Sequence, residues 1–238
     1  MHKIHFVLQG KGGIGKSLVA VLLAQYLKDA AIPVLCLDTD PINATFSGFK
    51  ALLVESVRWM EEGMINERVF DGMVEQILAE QASAVVDNGA ASFIPLSGYL
   101  IDNEIFETIQ ESKKGVVIHI VIVGGNGQDN TVSDFVNLVG QLPTGVEVVV
   151  WLNEHFGPIE ANGKDFQEMK AFVAHQSRVT AIIRLPKRKE MTFGQDMSAM
   201  LKDRLTFDEA MNGNYGLLAK KRLRIIQRDL YEQLDSCL

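Results

Sequence analysis

The chain has 238 residues, of which 47% are hydrophobic and 22% are charged, and its formal net charge is −7. This balance excludes the disordered and fibrous classes, and the negative charge excludes a global attraction to DNA or anionic membranes. Two cysteines exclude a disulfide framework and a cysteine-rich metal site. We expect a single cytoplasmic α/β domain over residues 1–238, with neither a signal peptide nor a membrane span.

The first predicted strand, residues 4–8, leads into a loop with the spacing Gly-x-x-x-x-Gly-Lys-Ser over residues 10–17. Glycines let backbone N–H groups surround a phosphate, a lysine can reach the β- and γ-phosphates, and a serine hydroxyl can bind Mg²⁺. Apolar residues at helical spacing follow, so the loop lies at a helix N-terminus that favours anions. The segment predicts a nucleotide site; the alternative is a glycine-rich turn without a ligand. The predicted contacts are Gly10, Lys11, Gly12, Gly13, Ile14, Gly15, Lys16, Ser17 and Leu18.

The second predicted strand, residues 32–37, ends in Asp-Thr-Asp-Pro over residues 38–41. Open α/β sheets place ligands at the carboxyl ends of their strands, so Asp38 and Asp40 suit a loop that senses Mg²⁺ and a γ-phosphate. The alternative is that both carboxylates only cap a turn. Further on, two sets of apolar residues at helical spacing predict short helices that cross the sheet face between residues 46 and 83. The first set is Val54, Val57 and Met60, and the second is Val69, Met73, Ile77 and Leu78.

A short apolar strand over residues 83–87 ends in Asp87, and a charge at a strand tip can hold a Mg²⁺-bound water. Residues 101–112 have the pattern of a helix. The long apolar run 115–123 is typical of a central parallel strand, in which His119 is interpreted as a core residue. A further helix is predicted through residues 132–139.

Another buried strand, residues 146–152, ends at Asn153, whose amide could pair with a base edge or serve as a turn residue. An insertion of unassigned role, with a partner contact as one possibility, covers residues 154–164. The last clear strand runs over 179–186 and precedes a basic turn, 187–189. The final predicted helix, about 217–234, carries an apolar stripe that favours packing on the domain over lying on a membrane surface.

A second lysine in the phosphate loop, Lys11, narrows the class of nucleotide-binding protein. The segment Lys-Gly-Gly-Ile-Gly-Lys-Ser resembles the deviant P-loop ATPases typified by ParA and MinD. Ordered landmarks extend this resemblance over nearly the whole chain: the Asp-x-Asp-Pro turn, the strand that ends in Asp87, and the strand that ends in Asn153. The stretches 7–13, 38–46 and 149–160 are similar to the branch of plasmid conjugal-transfer ATPases called TraL.

The resemblance implies a P-loop fold with a mainly parallel sheet of about seven strands, which binds Mg²⁺ and ATP or ADP and hydrolyses ATP slowly. It implies an ATP-dependent homodimer in which Lys11 contacts the phosphates of the partner subunit. A protein of a plasmid transfer or segregation system would read the switch, with contact to DNA or membrane left open. The implied catalytic residues are Lys11, Lys16 and Asp40, the metal residues are Ser17, Asp38 and Asp87, and the adenine contacts are Asn153, Leu185 and Pro186.

Two segments depart from the family pattern. Ile42 and Asn43 stand where the family often has glutamine and glycine, and Asn88-Gly89-Ala90 follows Asp87 where the family has prolines; Gly89 could still offer its N–H to a γ-phosphate. The alternatives are a small-molecule kinase or ATP-dependent ligase of the same fold, and an ATP-binding regulator that does not hydrolyse. An iron–sulfur reductase would need cluster cysteines near a dimer face, where Cys36 and Cys237 are poorly placed.

Overall fold

The computed structural model describes residues 1–40, 43–61 and 64–238, so the predicted turn residues Pro41 and Ile42 lie outside the described residues. The strands are β1 (Lys3–Val7), β2 (Val34–Asp38), β3 (Glu55–Ser56), β4 (Met60–Glu61), β5 (Met64–Ile65), β6 (Ser83–Asp87), β7 (Gly115–Val123), β8 (Glu147–Asn153), β9 (Glu160–Ala161), β10 (Lys164–Asp165) and β11 (Val179–Leu185). The α-helices are α1 (Lys16–Asp29), α2 (Arg68–Ala79), α3 (Phe93–Asp102), α4 (Ile105–Glu111), α5 (Gln128–Val139), α6 (Lys170–His175), α7 (Gln195–Lys202), α8 (Phe207–Asn212) and α9 (Leu217–Asp235).

One parallel sheet of seven strands organises the fold, in the order β11-β8-β7-β1-β6-β2-β3. The chain moves outward from β1 to β2 and β3, returns through β6, and then crosses β1 to build the other half of the sheet. Ligands of open α/β sheets bind outside the carboxyl ends of the strands, where the strand order reverses. The predicted fold class, a mainly parallel sheet of about seven strands, is therefore confirmed, and its reversal lies beside β1.

Helices cover both faces of the sheet, as the apolar strands require. On one face α2 to α6 bury a core that includes Phe70, Phe106 and Phe135. On the other face α1 and α7 to α9 bury a second core, to which Phe207 and Leu223 belong. The sheet thus has no solvated face along β1, β6, β7 and β8, and functional side chains are confined to its carboxyl edge.

Helix α9 packs its apolar stripe on the sheet side, with Leu223, Leu230 and Leu234 buried. The Gln233 amide accepts a hydrogen bond from the Arg184 N–H at 2.8 Å and donates one to the Arg184 carbonyl at 3.2 Å. It therefore binds both outward backbone groups of this residue on the edge strand β11. Within the described ranges, none of the helices is both long and apolar enough to cross a membrane.

Two predicted elements are correct only in part. Of the short helices predicted between residues 46 and 83, the second apolar set forms α2. The segment around Val54, Val57 and Met60 is not helical: it supplies β3, which pairs with β2, and β4, which forms a small hairpin with β5. Its three apolar residues imitate a helical repeat by coincidence, and hydrogen bonds to the sheet edge decide the conformation. The predicted helix 101–112 is helical but interrupted: it covers the end of α3 and all of α4, and Glu104 between them adopts a left-handed backbone with φ of 53°.

Candidate functional site

Three neighbouring strands end together at the carboxyl edge of the sheet. Val7 of β1 is in register with Asp87 of β6, and Asp87 is in register with Asp38 of β2. The glycine-rich loop leaves β1 and enters α1 at Lys16. The parallel order therefore brings together the loop and the two strand-terminal carboxylates, Asp38 and Asp87, which follow the loop's first glycine by 28 and 77 residues in the chain.

The loop has the backbone that a phosphate cradle needs. Gly13 and Gly15 have positive φ angles of 72° and 101°, which residues with a Cβ rarely adopt. The Lys16 ammonium is buried and donates a hydrogen bond to the Lys11 carbonyl at 2.8 Å. Burial lowers the pKa of Lys16, and the carboxylates of Asp87, Asp40 and Asp134 act in the opposite direction. A cation thus lies inside the loop and faces negative charge across the site.

Asp87 is the least compensated group of the site. It is fully buried, and neither of its carboxylate oxygens meets a hydrogen-bond partner among the described residues. Burial raises the pKa of Asp87 to about 8; the nearby Ser17 hydroxyl, which falls short of hydrogen-bond geometry, and the Lys16 ammonium lower this pKa in part, whereas Asp38 and Asp40 raise it further. A buried carboxylate without a partner is costly unless a cation neutralises it. The side chain therefore has the chemistry of a cation ligand.

Asp38 and Asp40 shape their own loop. One Asp38 oxygen accepts the Asp40 N–H and the other accepts the Ser47 N–H, each at 2.9 Å. The Asp40 carboxylate accepts two hydrogen bonds from Asn43, one from its N–H and one from its amide, both at 3.0 Å. The alternative interpretation, carboxylates that cap a turn, thus describes part of their structural role. The metal-shell role of Asp38 and the catalytic role of Asp40 stay predictions.

A set of polar residues that sequence reasoning missed ties the strand tips together. The Gln9 N–H donates to the Asn88 side chain at 2.9 Å, and the Thr39 hydroxyl donates to the Asp87 carbonyl at 2.9 Å. The Ser92 hydroxyl lies 3.1 Å from that of Thr39. These bonds stabilise the loop after Asp87 where the family pattern has prolines. The sequence signal for these bonds was the presence of Asn88 where the family has proline, because an asparagine side chain can form hydrogen bonds and a proline side chain cannot.

Gly89 brings this loop into contact with the Asp40 side chain. A Cβ on Gly89 would lie 2.6 Å from the Asp40 carboxyl carbon, closer than side chains approach. The segment after β6 and the segment after β2 therefore touch directly at this point. Only glycine permits that approach.

Asn153 lies beneath the phosphate loop. Its amide donates to the Ile14 carbonyl at 2.9 Å and its oxygen accepts the His155 N–H at 3.2 Å. In register with it on β11 is Leu185, which is partly buried, followed by the exposed Pro186. The structure thus brings the three predicted base contacts to one corner, and Asn153 already uses one donor and one acceptor to hold the loop. Its base-reading role stays a prediction.

The start of the insertion forms one wall of a cavity beside the loop. The cavity measures about 260 Å³ and lies between residues 11–14, residues 123–127 and the half-exposed ring of Phe156. Gly124 packs against this wall so tightly that a Cβ would lie 2.2 Å from the Pro158 carbonyl. Lys11 is exposed at the rim. The insertion 154–164 is therefore a neighbour of the phosphate loop rather than a remote appendage.

Comparison with known proteins agrees with this geometry. The sequence profile of the CobQ/CobB/MinD/ParA nucleotide binding domain matches residues 5–198. The chain belongs to the CobQ/CobB/MinD/ParA family. It is similar to Protein TraL of Escherichia coli, with 49% identity over 237 residues, which cover 99% of this chain and 98% of that protein. A second Protein TraL of Escherichia coli is 46% identical over the same length.

Solved structures of remote sequence share the fold. A chain of the MinC:MinD cell division protein complex of Aquifex aeolicus superposes with a TM-score of 0.55 at 13% identity, covering 98% of this chain and 96% of that one. A protein assigned to plasmid partition from Borrelia burgdorferi B31, bound to AMPPNP, gives a TM-score of 0.53 at 13% identity over the full length of both chains. At 13% identity the similarity to these two structures concerns the fold alone. The phosphate loop of this chain carries the second lysine, Lys11.

Proposed function

We propose that this protein is a Mg²⁺-dependent ATP-binding switch that hydrolyses ATP slowly, dimerises when ATP is bound, and serves plasmid transfer or maintenance. Membership of the CobQ/CobB/MinD/ParA family and similarity to TraL over nearly the whole chain support the nucleotide and the plasmid context. The complex formed by a MinD relative makes a protein partner reasonable for this chain as well.

The observation that carries the proposal is Asp87. Its two oxygens are buried and lack hydrogen-bond partners among the described residues, and they lie at the strand tip beside the phosphate loop. Natural proteins leave buried polar atoms unsatisfied mainly where a ligand, ion or reaction uses them. Mg²⁺ prefers oxygen ligands and is commonly held by one or two carboxylates together with substrate phosphates and water. Asp87 fits that requirement.

The residues present fit a nucleotide with its metal ion. Gly12, Gly13 and Gly15 carry no side chain that would keep a phosphate from their backbone N–H groups, and Lys16 can exchange its bond to the Lys11 carbonyl for a phosphate oxygen. The Ser17 hydroxyl and Asp87 would hold the metal ion, which supplies charge neutralisation during phosphoryl transfer. No compact group of three metal-binding side chains occurs in the described part of the chain, so phosphates and water would complete the metal shell.

Two further residues carry the switch itself. The Asp40 side chain lies against Gly89 of the loop after Asp87, and this proximity supports a role for Asp40 in orienting a water molecule next to a γ-phosphate. Lys11 is exposed on the rim of the loop. Because Lys16 already serves the loop from inside, an exposed second lysine is available to the phosphates of a facing subunit. The γ-phosphate would then be a contact between subunits, and its loss would release them.

The test is sedimentation velocity with Mg²⁺ and ATP on the unmodified protein, Asp40→Ala and Lys11→Ala, with ATP binding measured in parallel. We expect a stable dimer for Asp40→Ala, because hydrolysis is slowed while the contacts remain. We expect a monomer that still binds ATP for Lys11→Ala. ADP in place of ATP is the matched control and should leave all three proteins monomeric.

Three other results would direct attention elsewhere. If all three proteins bind ATP and stay monomeric, the dimer switch is wrong. If a metabolite stimulates turnover of the monomer, a kinase or ligase of the same fold is favoured. If ATP is recovered intact after long incubation with Mg²⁺, the protein is a regulator that binds ATP without hydrolysing it.

A further inference from the structure

Trp59 is a buried tryptophan outside the phosphate loop whose polar group is directed at the candidate site. It follows β3, and only 2% of its surface is exposed. Its indole N–H donates a hydrogen bond to the Thr39 carbonyl at 2.8 Å. Its ring packs near Phe70 of α2, with centroids 6.3 Å apart. The segment that sequence analysis assigned wrongly to helix therefore reaches the loop between the two aspartates.

Thr39 is the residue through which Trp59 would act. It stands between Asp38 and Asp40 and is completely buried. On the side opposite to Trp59, its N–H and its hydroxyl both donate to the Asp87 carbonyl, each at 2.9 Å. Thr39 is thus held between the tip of β6 and the indole. A displacement of this loop relative to Trp59 would change the length of the hydrogen bond from the indole to the Thr39 carbonyl.

Two backbone groups hold the loop at its first aspartate, one from the segment of Trp59 and one from the stretch that follows the loop. The Val57 N–H donates to the Asp38 carbonyl at 2.8 Å, and the Ser47 N–H donates to the Asp38 carboxylate at 2.9 Å. Both are backbone groups, which a side-chain substitution leaves in place. The indole of Trp59 therefore provides a side-chain hydrogen bond to the loop that a substitution can remove while these backbone bonds remain.

We propose that Trp59 is a positioning residue that holds the loop of Asp38 and Asp40 in place and whose indole hydrogen bond changes when the bound nucleotide changes from ADP to ATP. This inference rests on the proposed function, because it needs a nucleotide at the phosphate loop. Through Trp59, the presence of the γ-phosphate would affect residues outside the phosphate loop and outside the loop of Asp38 and Asp40. Trp59 directly precedes the β4–β5 hairpin, so such a change would also reach that element.

The second tryptophan supplies a matched internal control. The chain has two tryptophans, and both indole N–H groups are hydrogen-bonded in the interior. Trp151 donates to His119 Nδ1 at 2.9 Å, within the core between β7 and β8. The two indoles are alike in burial and in bonding, but only the bond of Trp59 ends in the loop of the candidate site. An ¹⁵N-labelled sample therefore gives one reporting indole signal and one reference signal.

The experiment is ¹⁵N–¹H NMR of both indole groups with Mg²⁺ and either ADP or AMPPNP, together with the variants Trp59→Phe and Trp151→Phe. We expect the Trp59 signal to differ between the two nucleotides and the Trp151 signal to coincide. We expect Trp59→Phe to lower kcat for ATP hydrolysis about tenfold while the Kd for ADP changes less than about twofold, since positioning acts on the transition state. Trp151→Phe should lower thermal stability and leave kcat unchanged.

The outcomes separate this inference from the proposed function. If nucleotide binds and the Trp59 signal is the same with ADP and AMPPNP, the inference is wrong and the ATP switch stands. A Trp59→Phe protein with unaltered kcat would overturn it in the same way. If neither nucleotide binds in the presence of Mg²⁺, the proposed function fails together with it. Should Trp59→Phe not fold, the signals of the native protein, assigned with Trp151→Phe, still decide.

Discussion

The loss of folding stability caused by the candidate site comes mainly from one side chain, Asp87. The pKa of its carboxyl group is raised from 3.8 to about 8 by burial, so the folded protein takes up a proton that the unfolded chain releases. For a carboxyl group with a raised pKa, the free energy of unfolding falls as pH rises from about 4 to about 8. The residue that would serve the metal ion thus destabilises the protein when no cation is bound.

We predict that Asp87→Asn stabilises the protein and abolishes its proposed activity. At pH 8, without Mg²⁺ or nucleotide, urea unfolding should give a free energy of unfolding roughly 2–4 kcal/mol higher than that of the native protein. The difference should shrink toward pH 4, where the native carboxyl group is protonated in the folded state and, with a pKa of 3.8, somewhat less than half protonated in the unfolded chain. Hydrolysis should fall about 100-fold or more, because the amide cannot replace the carboxylate at a metal ion.

Asp134→Asn is the matched control for the stability of Asp87→Asn. Asp134 also faces Lys16, but it is partly exposed and accepts a hydrogen bond from the Gln9 amide at 3.0 Å. Its replacement removes the same charge without relieving an unpaired buried group, so no gain in stability is expected. A gain shared by both variants would mean that the general negative charge of the edge, and not Asp87, is responsible.

At the scale of single elements, the C-terminal end of α2 is capped by a side chain from a distant part of the chain, Lys114. Lys114, buried just before β7, donates hydrogen bonds to the Ile77 carbonyl and to the Glu80 carbonyl, the latter at 2.6 Å. The last carbonyls of a helix have no partner within the helix, and a cation is favourable at its negative end. Lys114 therefore closes α2 and joins it to the sheet.

We predict that Lys114→Met destabilises the protein by about 1–3 kcal/mol, because the apolar stem is retained while carbonyls at a partly buried helix end lose their donor. Thermal and urea unfolding measure the effect. Lys113→Met, a change of the same kind at the exposed neighbouring residue, should stay within about 0.5 kcal/mol of the native protein. Equal losses in both variants would show that the ammonium bonds to α2 contribute nothing.

The elements that the sequence predicted correctly are those with a continuous apolar pattern. Strands β6 and β7 are apolar along their length because helices cover both faces of the sheet, and each was predicted with its observed bounds. The two-residue strands β3 to β5 are too short to show any period. Their position is decided by the edge of β2 and by the indole of Trp59, which are remote in sequence.

In the candidate site too, some features could be predicted from local sequence and others depend on contacts between distant segments. Its phosphate loop is a local feature, because the spacing of Gly10, Gly15 and Lys16 fixes the backbone that a phosphate needs. Thr39, Asn88 and Trp59 come from separate segments and meet only in the folded sheet. No periodicity predicts which hydrogen-bond donor finds which acceptor across such distances, so these residues could be found only from the structure.

At the scale of the whole molecule, a chain of hydrogen bonds runs through the core from β8 to β1. The Trp151 indole can only donate, so His119 accepts at Nδ1 and carries its proton on Nε2. That nitrogen lies 3.0 Å from His5 Nδ1, which therefore accepts. Burial lowers the pKa of His5 from 6.5 to about 3 and that of His119 well below its ordinary value. Both histidines are neutral in the folded protein, as the interpretation of His119 as a core residue anticipated.

We predict a loss of stability on acidification from this pair. A histidine whose folded pKa is lowered stabilises the protein fully above pH 6.5, and the stabilisation is lost as pH falls from 6.5 toward 3. For His5 the loss should reach about 2 kcal/mol at pH 5. Urea unfolding of Asp87→Asn, in which the opposing trend of that carboxyl group is absent, measures it. The ring signals of both histidines should stay fixed in NMR between pH 8 and pH 5; ring signals that move would contradict the neutral pair.

The Gln233 amide that occupies both outward backbone groups of Arg184 has a consequence for synthesis on the ribosome. A sheet edge offers unpaired N–H and C=O groups to any other strand, and a side-chain amide that binds both removes one such place. Gln233 follows Arg184 by 49 positions in the chain. A nascent chain therefore completes β11 well before the residue that protects its edge has been made. During that interval the emerging sheet is open to strands of neighbouring nascent chains, and the docking of α9 ends this exposure.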